Sequence, residues 1–145
     1  MSHDSNAEVL ERLHALMHHF KSRMHQAVRE EGDGLAPMEA RALAYFARHP
    51  GHTQSDLVQH AGRDKAQIAR IVRLLMERGL LDSEPDPQDR RSQRLQLTER
   101  GRVVQRKMQQ HRARHEAQLL ACLSDTQRRQ LLTCLDHMLA AAAES

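Results

Sequence analysis

The chain has no tryptophan, a single tyrosine and only two phenylalanines in 145 residues. A core without large rings must be assembled from Leu, Ala, Val, Ile and Met, most of them good helix formers, so a mainly helical framework is expected. Cysteine is scarce as well. Cys122 and Cys134 lack the close pairing of a CxxC knuckle and are too few for a disulfide framework, which leaves them as small buried thiols. No apolar run approaches the roughly 20 residues needed to cross a bilayer, and the start MSHDSNAEVLERL lacks the basic-then-apolar order of a secretory signal. A cytoplasmic protein without a membrane partner is expected. HExxH, GxSxG and a phosphate loop are missing too, so the 11 histidines and 19 carboxylates spell no catalytic motif. No enzyme, no catalytic residue and no required cofactor are expected.

The chain is long enough for one domain with a real core. Its charge is unevenly spread: residues 63–114 hold 14 Lys or Arg against 7 Asp or Glu, whereas the rest holds 8 against 12. A basic half is either a solvated face or the footprint of a polyanion partner. Apolar residues three or four apart predict a first helix over 6–29, and Glu31-Gly32-Asp33-Gly34 interrupts it. Pro37 then suits the first turn of a second helix ending near Arg48, before His49-Pro50-Gly51-His52. Thr53 caps a short third helix that ends before Gly62, and Asp64 caps a fourth to about Arg78, with Ile68, Ile71, Val72 and Leu75 as its apolar stripe. Residues 80–84 and 93–97 read as strands flanking a turn-rich Pro85-Asp86-Pro87-Gln88-Asp89. Thr98 starts a long fifth helix to about Leu123, and Ser124 with Gln127 forms a capping box for a sixth.

A short helix, a turn containing Gly62, a second helix and then a hairpin is the order of a winged helix-turn-helix. Docking the fourth helix by its stripe frees Lys65, Ala66, Gln67, Ala69, Arg70 and Arg73 to face a major groove. Gln67 suits a bidentate contact to adenine and Arg70 to guanine, while Lys65 and Arg73 suit phosphates. Asp89, Arg90 and Arg91 at the hairpin tip would project a guanidinium, steadied by Asp89, toward a narrow, electronegative minor groove. The plain alternatives are a solvated helix face and a charged turn. A helical adaptor that binds only protein is the rival from another class.

The run LLMERGLLDSEPDPQDRRSQRLQLTERG resembles the signature of the MarR family of transcriptional regulators, and the order of six helices with a hairpin between the fourth and fifth is similar to that family's architecture. The resemblance implies one winged helix-turn-helix domain with a two-stranded β-wing. Residues 36–98 would form the DNA-binding lobe, and the long terminal helices, 6–30 and 99–143, would hold a homodimer. It implies a repressor of double-stranded, pseudo-palindromic DNA, with Gln67 and Arg70 on bases, Arg90 beside phosphates and Asp89 orienting Arg91. Ala36 departs from the family's usual Thr or Ser cap.

Release by a small aromatic or carboxylate effector is also implied, in a crevice for which Phe20, Met24, Met38, Tyr45, Met108 and His111 are the candidate lining. Each of these is equally suited to plain core, and Arg23 or Arg41 could pair with an acidic ligand. The first helix has no cysteine for peroxide sensing. His111 and His115 stand one turn apart on the fifth helix, a spacing that fits one zinc ion, with His14, His18 or His19 as further ligands. Interface histidines, or a pH response beside Arg112 and Arg114, are the competing readings.

Overall fold

The computed structural model describes residues 2–145, and side chains from Asp4 onward. Six helices and one hairpin follow in the expected order: α1 Ser2–Glu31, α2 Pro37–Arg48, α3 Gln54–Ala61, α4 Lys65–Glu77, β1 Leu81–Pro85, β2 Gln93–Leu97, α5 Glu99–Leu120 and α6 Asp125–Ala143. The chain divides into two compact units, one running to His111 and the other from Arg112 to Ser145.

The first unit contains the hydrophobic core. Leu43 and Phe46 of α2, Leu57 of α3, Ile68, Ile71, Val72 and Leu75 of α4, and Leu81, Leu95 and Leu97 of the hairpin are buried together, joined by Val104 and Met108 of α5. The α4 stripe is the one its spacing predicts, and Leu75 is wholly inaccessible. Burying a side chain of that size is worth about 1.5 to 3 kcal/mol, so α4 is fixed by tertiary packing more than by propensity.

Local chemistry sets the boundaries. The Thr53 hydroxyl accepts from the Asp56 N–H at 3.2 Å while the Asp56 carboxylate accepts from the Thr53 N–H at 2.8 Å, closing a reciprocal box. Gly62 ends α3 in the left-handed region, with φ 61°. The first strand begins one residue later than expected because Leu80 still belongs to the helix end. Its N–H donates to the Leu75 carbonyl at 2.9 Å across Gly79, whose φ is 71°. Helix α1 extends past both expected ends, and α5 stops at Leu120, three residues early.

β1 and β2 pair antiparallel with Leu81 opposite Leu97 and Ser83 opposite Leu95. The sheet has an unforeseen neighbour. Leu95 donates to the His52 carbonyl and accepts from the Gly51 N–H, both at 2.9 Å, and Thr53 bridges Arg94. The segment before α3 is thereby stitched to β2.

In the second unit, Ser124 caps α6 as expected, exchanging hydrogen bonds with Gln127 at 2.9 and 3.1 Å, and Arg128 pairs with Asp125. None of the described residues of α6 is buried.

Candidate nucleic-acid interface

Asp64 positions the start of α4 by accepting from the Ala66 N–H at 3.1 Å. Because Ile68, Ile71, Val72 and Leu75 face the core, the rest of the helix surface faces outward. Lys65, Ala66, Arg70 and Arg73 are exposed, and Gln67 and Ala69 are half-buried. The described contacts include no ion pair to Lys65, Arg70 or Arg73. Three cations and a long-armed amide, interspersed with alanines, therefore form a surface that can lie close to a polyanion.

The wing tip is built from side chain to backbone bonds. Asp86 accepts from the Gln88 N–H and Asp89 from the Arg91 N–H, each at 3.0 Å, and the Asp86 N–H donates to the Ser92 carbonyl at 3.0 Å. These turns hold Asp89, Arg90 and Arg91 exposed at the tip. Asp89 steadies the backbone of Arg91, and among the described residues no ion pair joins it to a guanidinium. Asp86 instead pairs with Arg94 at 3.5 Å, bracing the turn where it leaves the strands. The carboxylate thus aims Arg91 through its main chain and leaves the guanidinium free to reach outward.

The residues expected to line an effector crevice differ in burial. Tyr45 and Met108 are buried in the core and Met38 packs against it, whereas Phe20 and Met24 are half-buried on α1 and His111 is half-buried on α5. Two open depressions in the first unit have other linings. One, of about 490 Å³, lies among Gln54, Ala69, Val72, Arg73, Met76 and Glu77. The other, of about 250 Å³, includes Phe46, Pro50, Gln96, Arg102, Gln105 and Arg106. Apolar residues on a helix register burial, and burial in the core satisfies that pattern as well as a ligand would. Arg23 is half-buried on α1 and Arg41 is exposed on α2. His115 is buried, but among the described residues no group of three or more His, Cys, Asp or Glu is arranged to hold a metal ion. Cys122 and Cys134 are exposed in the single chain, not buried as expected. Cys134 lies on α6, none of whose residues is buried.

A cluster of rings lies where the sequence showed only a helix breaker. Tyr45 meets His49, His52 and His60 at centroid distances of 4.6, 5.7 and 5.0 Å, and His49 stacks on His52 at 4.7 Å with an interplanar angle of 25°. The Tyr45 hydroxyl lies 2.9 Å from His52 Nδ1.

These elements define a winged helix-turn-helix: a capped α3, a tight turn, an outward-facing α4 and a basic wing. The chain is matched over residues 33–92 by the model of the MarR family. It is 35% identical over 68 residues, 47% of its length, to the HTH-type transcriptional regulator PetP of Rhodobacter capsulatus. The chain spans between 41% and 64% of the length of the curated relatives it matches. The crystal structure of MarR superimposes with a TM-score of 0.71 at 26% identity, over 91% of both chains. Streptococcus pneumoniae FabT in complex with DNA matches in fold with a TM-score of 0.80 at 15% identity, over 96% of this chain and 98% of that one. No helix of the described residues is long and apolar enough to cross a membrane.

Proposed function

We propose that this protein is a cytoplasmic, homodimeric transcription repressor that binds a pseudo-palindromic duplex and is released by a small aromatic or carboxylate effector. The observation that carries the DNA-binding reading is the exposed, unpaired Lys65, Arg70 and Arg73 on the outer face of α4, in one lobe with Arg90 and Arg91 on a wing tip. The solved DNA complex of a protein with the same fold supports it. Gln67 and Arg70 read base edges, Lys65 and Arg73 hold phosphates, and Arg91 enters the minor groove with Arg90 beside it. Two copies joined through their long helices would place two recognition helices about one helical turn of DNA, roughly 10 base pairs, apart.

Selection of bound duplexes from a random pool tests this reading. A two-fold symmetric consensus is expected. Arg70→Ala should relax preference at one base position at a cost of about 1 to 3 kcal/mol, whereas Arg91→Ala should weaken binding and lower the preference for A·T-rich flanks. Failure to enrich any duplex at low salt would overturn the reading, and equal, sequence-independent losses in both variants would overturn the division of labour between helix and wing.

A further inference from the structure

The ring cluster of Tyr45, His49, His52 and His60 belongs to none of the surfaces assigned above. Its members come from three places. Tyr45 is in the last turn of α2 and His49 caps that helix, His52 lies in the link to α3, and His60 is in the last turn of α3. The rings therefore join the end of α2 to both ends of the first helix of the helix-turn-helix. The His52 carbonyl also accepts from Leu95, so the same residue ties the cluster to the wing.

The charges around the cluster are unequal. The Asp56 carboxylate lies 3.8 Å from His52 Nδ1. Among the described residues no ion pair joins a carboxylate to His49. Its neighbours are Arg48 on α2 and the rings of Tyr45, His52 and His60. Partial burial first, then His52, Arg48 and His60, hold its pKa below the usual histidine range. From β2, Arg94 bridges Thr53 through its backbone while its guanidinium is paired with Asp86, and Arg63 and Asp64 follow His60 in the turn to α4. Burial and Asp56 raise the pKa of Tyr45, which keeps its hydroxyl protonated. The stack thus has a counter-ion for one charge but not for two imidazolium rings 4.7 Å apart.

We propose that Tyr45, His49, His52 and His60 form a proton-sensitive clamp: neutral His49 holds α3 against the end of α2, and charging it beside His52 opens the clamp and lowers affinity for DNA. The DNA part of this proposal rests on the function proposed above. The sign follows from linkage. A histidine that resists protonation in the folded state leaves stability intact above the unfolded value and removes it as pH falls below that value. If the binding-competent state excludes one proton that the open state accepts, affinity falls up to about tenfold per pH unit across the transition.

The test compares wild type with His49→Phe, which keeps an aromatic ring in the stack and removes its titration, and with His49→Gln in case Phe packs poorly. The probe is the duplex pool enriched by wild type at about pH 7.5, and affinity is measured again at about pH 5.5 at the same ionic strength. Wild type should weaken about tenfold more than either variant over that interval, with similar affinities at the higher pH. Equal pH dependence in all three proteins, or tighter binding by wild type alone in acid, overturns the clamp. The melting temperature over the same pH range is read in parallel without DNA. If no duplex is enriched, the DNA-binding reading fails and the melting data decide the clamp by themselves. A steeper fall for wild type than for the variants sustains it, and parallel falls overturn it.

Discussion

The DNA-facing lobe and the second unit use the same apolar alphabet and reach opposite results. Residues 36–98 bury at least one leucine, isoleucine or valine from every element within one chain, whereas α6 buries nothing. Leu132 and Leu139 remain 60% and 68% exposed, and Leu131 and Met138 accompany them. These pairs are seven residues apart, as are the exposed Val9 with Leu16 and Leu10 with Met17 on α1. An apolar stripe repeating every two turns is a seam for another helix, and a monomeric protein rarely leaves such a stripe in water. The lobe has its own core in one chain, and the exposed stripes of α1 and α6 are where the proposed homodimer would be joined.

The largest effects should separate the two regions most sharply. Phe46 is fully buried in the lobe, so Phe46→Ala should cost about 3 to 5 kcal/mol in urea unfolding. Joint replacement of Leu132 and Leu139 by Asp should instead abolish self-association in sedimentation, with the far-ultraviolet signal of the lobe retained. The comparison breaks if the Asp variant sediments like wild type, or if Phe46→Ala unfolds no more easily than its parent.

A smaller effect belongs to the joint between hairpin and α5. The Thr98 hydroxyl accepts from the Gly101 N–H at 3.0 Å, and a Cβ on Gly101 would lie 2.1 Å from the Leu80 carbonyl oxygen. That neighbour is backbone, which cannot swing aside as a side chain would. Gly101→Ala should therefore destabilise by about 1 to 3 kcal/mol, measured by thermal unfolding. An unchanged melting temperature would show that the helix start shifts freely and that the lobe is less rigid than its packing implies.

Elements that announce themselves locally were legible in the sequence. Thr53, Asp64, Thr98 and Ser124 each accept the hydrogen bond expected of a cap, and the α4 stripe predicts its buried residues one by one. The outward positions of Lys65, Arg70, Arg73, Arg90 and Arg91 followed from that stripe and from the turn residues. Long-range partners were not legible. Nothing in His49-Pro50-Gly51-His52 says that its backbone pairs with Leu95 or that its rings meet Tyr45 and His60, because those contacts are set by how α2 and α3 pack. The residues expected to line an effector crevice meet the same limit, since a helix pattern says that a side chain is buried without saying what buries it.

Capping boxes in the two regions allow a finer comparison. Thr53→Ala and Ser124→Ala each delete one hydroxyl acceptor, at about 1 kcal/mol. Thr53 sits beside the wing bridge, so its loss should raise hydrogen exchange in both α3 and β2, whereas loss of Ser124 should loosen α6 alone. Asp56 adds a pH signature. The Thr53 N–H holds its carboxyl below the usual carboxylate range, so this contribution is present above the unfolded value and is lost as pH falls through the depressed folded one. Thr53→Ala keeps that backbone donor and should keep the acid sensitivity.

The smallest expected effect is a gain at the start of α2. Ala36 already has the extended geometry of a helix cap, φ −75° and ψ 158°, and its N–H donates to the Glu39 carboxylate at 3.1 Å. Half of a capping box is therefore in place, and the Glu39 N–H lacks the side-chain acceptor that an alanine cannot supply. Ala36→Ser adds that acceptor on an exposed residue without disturbing the core. Stability should rise by about 0.5 to 1 kcal/mol, seen as a higher urea midpoint at an unchanged slope. The same change should lift the melting temperature by roughly 2 to 4 °C. A gain in midpoint with unchanged duplex affinity would place the start of α2 outside the binding surface. A loss would mean that Glu39 exchanges its bond to the Ala36 N–H for the new hydroxyl, and that the half box is worth more than the full one.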